Sequence, residues 1–229
     1  MKPERAFIAE RALAQHCPEL LGAGAGAAAP VELLPTLGRA GAKLARAFAA
    51  ALSPLVGGQE LAVQAAAPRE ATAAVFVQEI APLAANSLLG FGGLQGGAAL
   101  LASFDAGAVL RMIDRAFGGT GKAPAEMPAM FPASAGVVIR QLEAIVAQGF
   151  AAATGAAGFE PLRRGGNLVE LEPFAEATPL AILTLTVAEA GSEPWPVHLA
   201  LPFAALENLV GEGVQAPARL AAPRQPNPA

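Results

Sequence analysis

The chain has 229 residues, 54% hydrophobic and 15% charged, with a net charge of -4, which suffices to bury a real core and argues against nucleic acid, a partner that calls for a basic face and stacking aromatics. Tyrosine is absent and Trp195 stands alone; the single Cys17 excludes an internal disulfide, and His16 and His198 lie too far apart for any familiar metal spacing. Charges at Lys2, Glu4, Arg5, Glu10 and Arg11 leave no signal-peptide core, and no run approaches the roughly 18 apolar residues of a membrane span, so a soluble, cytosolic protein without metal or cofactor is expected.

Much of the apolar count is alanine, a strong helix former, so the fold should lean on helices. Residues 3–21 place Phe7, Ile8, Arg11, Ala12 and Gln15 at helical spacing, followed by Leu13, Leu20 and Leu21, and predict a short amphipathic helix ending near Pro18. The Gly/Ala run from Gly22 to Pro30 reads as a linker. A longer helix is predicted from Thr36 as N-cap, with Leu37, Leu44, Phe48 and Leu52 on one face, stopped by Pro54 and Gly57. Leu61 and Val63 alternate with Glu60 and Gln64 and predict a strand. Residues 70–81 fit helix and strand templates alike through Val75, Phe76, Val77 and Ile80.

Apolar residues 98–104 predict a strand that turns at Asp105, an N-cap, into a helix with Val109, Ile113 and Ala116 or Phe117 on one face and Gly118 as its terminating glycine. A second helix is predicted over about Pro132 to Thr154, with Pro132 in its first turn, Val138, Leu142, Ile145, Val146 and Phe150 facing in, and Arg140, Gln141 and Glu143 facing out. Strands are predicted near 158–172, broken at Gly165 and Gly166, then over 179–188 and from Trp195 to Leu201, with a closing helix from Phe203 to Val210. That last unit echoes the central one, Val109 and Ile113 matching Leu206 and Val210, which suggests an internal duplication and a pseudo-twofold α/β domain. Beyond Gly213 the Pro- and Ala-rich tail predicts an unfolded segment.

No catalytic constellation stands out. Gly121-Lys122 lacks the upstream glycine and the following Ser/Thr of a phosphate loop, since Phe117 and Ala123 fall near those places. Glycines 90, 92, 93, 96 and 97 miss the dinucleotide spacing and read as a turn between strands. His198 reads as a sheet histidine with a hydrogen-bond partner, Cys17 has only the adjacent His16 beside it, and Glu170 with Glu172 reads as a solvated strand edge.

The block Leu88 to Gly121, with Asp114, Arg115, Phe117, Gly118, Gly119 and Gly121 in an Asp-Arg-x-Phe-Gly-Gly-x-Gly pattern, resembles the flagellar motor switch family FliM, and the likeness extends over about residues 35–212. The resemblance implies a pseudo-symmetric α/β/α sandwich of the CheC/FliM middle-domain type over 35–212, flanked by an N-terminal helix and linker at 1–34 and a tail at 213–229. It implies a non-enzymatic switch and scaffold subunit of the cytoplasmic C-ring at the basal body, peripheral to the inner membrane. Its partners would be FliG, through Phe117, Gly118, Gly119 and Gly121, and neighbouring FliM-like subunits. From the residues alone, the same loop is a helix cap and turn.

Two departures bear on further partners. The N-terminus lacks the acidic Glu-Ile-Asp-Ala-Leu peptide that captures phosphorylated CheY, leaving the helix with Phe7, Ile8 and Arg11 as its candidate substitute. The Pro-rich end stands where the family has a β-rich domain that pairs with FliN. The alternative, a CheC-type response-regulator phosphatase, needs a Glu and an Asn three residues later on one helix face. Glu143, Glu79 and Glu207 are followed at that spacing by Val146, Pro82 and Val210.

Overall fold

The computed structural model describes residues 30–58, 60–91, 100–155, 158–207 and 209. Helix α1 (Pro30–Leu52) begins six residues before the expected Thr36 and runs through Pro35. The buried stripe explains the difference: Leu33 joins Leu37, Leu44, Phe48 and Leu52 against the core, and that burial outweighs the one backbone bond a proline withholds. A 3-10 turn at Ser53–Val56 ends on Gly57, with φ 81°.

Strands β1 (Leu61–Ala65) and β2 (Arg69–Thr72) follow. The ambiguous stretch is both things in turn: β2, then a short helix α2 (Ala73–Glu79) that starts where the Thr72 hydroxyl accepts from Val75 N at 3.4 Å. Strand β3 (Ala84–Gly90) is buried at every position and had no separate expectation from sequence. Strand β4 (Leu100–Asp105) passes into helix α3 (Ala106–Ala116) through Asp105, whose carboxylate caps Ala108 N at 2.7 Å, as expected.

Helix α4 (Ala135–Thr154) starts three residues after Pro132, which lies in the preceding turn and offers its carbonyl to Ala135 N. Glu143 on this helix does not face out: it is 4% exposed, because Ser87 and Arg164 partner it beneath the helix. Strand β5 (Glu160–Gly165) is shorter than expected, and residues 168–171 form a helical turn, α5 (Leu168–Leu171), capped by Asn167; Leu168 and Leu171 are buried on one side of it, so Glu170 and Glu172 are solvated but not on a strand. Strands β6 (Pro179–Glu189) and β7 (Trp195–Pro202) complete the sheet, and residues 203–207 continue as helix.

The seven strands form one antiparallel sheet in the order β1-β6-β7-β4-β3-β5, with β2 also paired to β6. Each face carries its own core. Helices α1, α3 and α4 cover the larger one, including Phe48, Phe104, Met112, Leu142, Phe150, Leu183 and Leu199. Helices α2 and α5 cover the smaller, with Phe76, Leu88, Leu101, Leu168 and Ile182. The expected α/β/α sandwich is therefore present, thick on one side and thin on the other.

The twofold is visible in the strand order itself. Exchanging β1 with β5, β3 with β6 and β4 with β7 reverses the order and leaves it unchanged. The shift that lays Val109 on Leu206 also lays Ala102 on Leu199, and those two residues are register partners at the centre of the sheet. It brings Ala108, Val109 and Met112 onto Ala205, Leu206 and Leu209, all of them buried.

Candidate functional site

The site is built at the end of α3. Its amphipathic face buries Val109, Met112 and Ile113, so Asp114, Arg115 and the residues after them emerge at the rim of the thick layer. The helix stops in a paired-bond cap: Gly118 N donates to Arg115 O at 3.0 Å and Gly119 N to Asp114 O at 2.8 Å, with Gly118 at φ 86°. A φ of that sign strains any residue that bears a Cβ, and glycine adopts it freely. Contrary to expectation, neither Ala116 nor Phe117 joins the buried face: both are exposed, because the helix ends there and its cap turns the chain away from the core, throwing Phe117 outward at 75% exposure.

Asp114 then organises the turn. Its carboxylate accepts from Gly121 N at 2.7 Å and from Lys122 N at 3.4 Å, and it fills the space where a side chain on Gly119 would lie. Gly121, at φ 77°, lies directly on the Arg115 guanidinium, which occupies the position of its missing Cβ. Structure thus brings all four sequence-singled residues, Phe117, Gly118, Gly119 and Gly121, into one loop fixed from below by the Asp114 and Arg115 side chains. Phe7, Ile8 and Arg11 lie outside the described residues.

Three further residues complete the arrangement and were not anticipated. Arg115 Nη1 donates to Glu189 Oε2 at 2.9 Å, and the Trp195 indole donates to Glu189 Oε1 at 2.9 Å. Arg111 approaches the same carboxylate at 3.8 Å. The Glu189 side chain is 1% exposed, so a buried anion lies between two partly buried cations at the paired ends of β6 and β7. The available signal was an acidic residue closing an apolar strand, followed six residues on by the chain's one tryptophan; separation along the chain concealed the link to α3.

A second ion group bears on the phosphatase alternative. Glu143 accepts from Ser87 Oγ at 2.7 Å and from Arg164 Nε and Nη2, both at 2.5 Å. The hydrogen bond to Glu143 raises the Arg164 pKa above its ordinary value, against a smaller opposing effect of burial. Both oxygens of that carboxylate accept hydrogen bonds within the fold, and Val146 stands three residues on where the phosphatase pair needs an asparagine. No group of three or more acidic, histidine or cysteine side chains able to hold a metal occurs among the described residues. Nor is any described helix long and apolar enough to cross a membrane.

No family model and no curated protein matches the chain. Solved structures do. The chain is similar to a chain of the FliG-FliM complex from H. pylori (TM-score 0.66, 14% identity, covering 77% of this chain and 98% of that one). It is also similar to the FliM middle domain from H. pylori (TM-score 0.63, 13% identity, 79% and 98%) and to FliY from Thermotoga maritima (TM-score 0.63, 12% identity, 80% and 96%). With nearly the whole of each of those chains matched at such low identity, what is shared is the fold: this chain carries the FliM middle-domain fold, which FliY has as well.

Proposed function

We propose that the chain is a binding protein rather than an enzyme, a FliM-type subunit of the flagellar motor switch whose Phe117 to Gly121 loop contacts FliG. The observation that carries the reading is a loop with opposite properties on its two sides. Its outer side offers an exposed aromatic ring and glycine backbone, and its inner side is tied by Asp114 and Arg115, so little ordering entropy is lost on docking. That loop lies on a FliM middle-domain fold, and one of the matched structures is of a FliG-FliM complex. In this reading the chain acts in the cytoplasm at the basal body beside like subunits, in chemotaxis and motility. Coupling to phosphorylated CheY through Phe7, Ile8 and Arg11, and recruitment of FliN, are separate steps of the same proposal.

Titration of the chain with the middle region of FliG tests it. Wild type should bind with a Kd on the order of micromolar. Phe117→Ala removes a solvent-exposed ring, so it should leave the thermal midpoint in place while weakening binding by about tenfold or more. Gly119→Arg should abolish binding, since its side chain both blocks the loop and displaces the Asp114 carboxylate. Equal affinity of wild type and both variants would remove the loop from the interface. No binding by any of them would remove FliG as the partner.

A further inference from the structure

The loop's inner fastening leads further into the molecule than its outer face requires. Gly121 is buried, resting on the Arg115 guanidinium, and the same guanidinium is held at 2.9 Å by a carboxylate whose own surroundings are closed. Glu189 lies at the last position of β6, opposite Leu61 of β1, and its second oxygen accepts the Trp195 indole N–H from the first position of β7. A carboxylate buried to this degree is stabilised only by its donors. Arg115 can span from Gly121 to Glu189 because its guanidinium gives Nη1 to the carboxylate while Nε, Cζ and Nη2 lie against Gly121; the point charge of a lysine does not do both.

We propose that Glu189 is the positioning residue of the Phe117 to Gly121 loop, acting through Arg115, and that Trp195 reports the state of this latch. The inference rests on the reading of that loop as a partner-binding surface, but its first readout does not depend on any partner. Asp114 ties the loop to its own helix, whereas Arg115, held by Glu189, packs it against the end of strand β6, so loss of Glu189 should free the loop without dissolving the helix cap. A force or displacement applied at the loop would in turn reach the β6 and β7 ends through one ion pair and one indole hydrogen bond.

Glu189→Gln is the informative variant. The amide oxygen still accepts from Trp195, while the charge that holds Arg115 is gone. Amide exchange at Gly121 and Lys122 should accelerate by about tenfold relative to the amides of Ile182 and Ala200 in the middle of the sheet. Tryptic cleavage after Lys122 should quicken in parallel, and the emission of the chain's single tryptophan should shift as its neighbour loses charge. Affinity for the middle region of FliG should fall although no contact residue has changed.

Should Glu189→Gln fail to fold, Arg115→Gln breaks the same contact from its less buried end, and Arg115→Lys should not restore it. Loop amides that keep the wild-type ratio to the sheet amides in both Gln variants would overturn the latch. Accelerated loop amides in a protein that never binds FliG would support the latch and dispose of the partner assignment instead.

Discussion

Thr184, His198, Ser103 and Asn86 stand side by side across β6, β7, β4 and β3, each the register partner of the next, forming a polar row under the thin layer. His198 Nδ1 lies 3.1 Å from the Thr184 hydroxyl, and its ring meets Phe76 edge-on at 6.1 Å. Burial pushes its pKa below the ordinary 6.5; Glu79 pulls it up and Arg69 pushes it down, and those two residues form an ion pair with each other. The folded state therefore binds this proton less readily than the unfolded chain does. Stability is complete above about pH 6.5 and falls as pH drops through that value toward the depressed folded pKa. Thermal melts between about pH 7.5 and 5 should show the midpoint declining on acidification, and His198→Gln should flatten that part of the profile. Identical profiles for the two proteins would show that the imidazole contributes nothing to the pH dependence. The sequence placed this histidine on a strand with a hydrogen-bond partner, but the partner belongs to a neighbouring strand and has no mark in local spacing.

Elements were legible in proportion to how locally they are determined. The Asp105 cap, Val109 and Ile113 of the α3 stripe and the glycine stop are all written between Asp105 and Gly118, and each appears where periodicity and capping chemistry place it; the stripe ends short of Ala116 and Phe117 because the cap intervenes. Strand β3 was not legible, because Ala84 to Gly90 is buried on both faces and shows no alternation to read. Glu143 was misplaced for a related reason: a charged residue on a helix is assigned outward unless its counter-ion is known, and Ser87 and Arg164 come from two other elements.

That ion pair predicts an asymmetry between its partners. Arg164 is 40% exposed at its side chain and Glu143 4%. Removing the acid lets the arginine turn into water and leaves only the buried Ser87 hydroxyl without its acceptor, so Glu143→Leu should cost about 1–2 kcal/mol. Removing the base strands a carboxylate under α4 with only Ser87 to serve it, so Arg164→Ala should cost roughly 2–4 kcal/mol. Chemical denaturation of the two variants measures the difference, and equal losses would mean that the helix moves to release Glu143 to solvent.

At the scale of the whole molecule, the two halves are not two neighbouring units but interleaved ones. Helix α1 of the first half packs against α4 of the second, with Gly149 leaving room for Leu44, whose Cδ1 would lie 2.5 Å from a Cβ there. Strand β1 pairs with β6 and β5 with β3, so each outer strand is held by the opposite half. Only β3 with β4 and β6 with β7 are pairings within a half, and each such hairpin has its thick-face apolar side completed by a helix from across the pseudo-axis. The duplication seen in the sequence at Val109 and Leu206 therefore marks a symmetry of assembly, one in which neither half has a core of its own. Fragments 30–122 and 123–209, divided in the exposed connection after the glycine loop, should each lack a cooperative thermal transition. Mixed in equal amounts they should recover a single transition and the Trp195 environment of the intact chain. The cut falls inside no strand or helix and breaks only the covalent connection between α3 and α4, so every pairing between the halves can re-form. A fragment that melted cooperatively by itself would show that one half holds its core without the strands and helix the other lends it, and the twofold would then describe shape rather than stability.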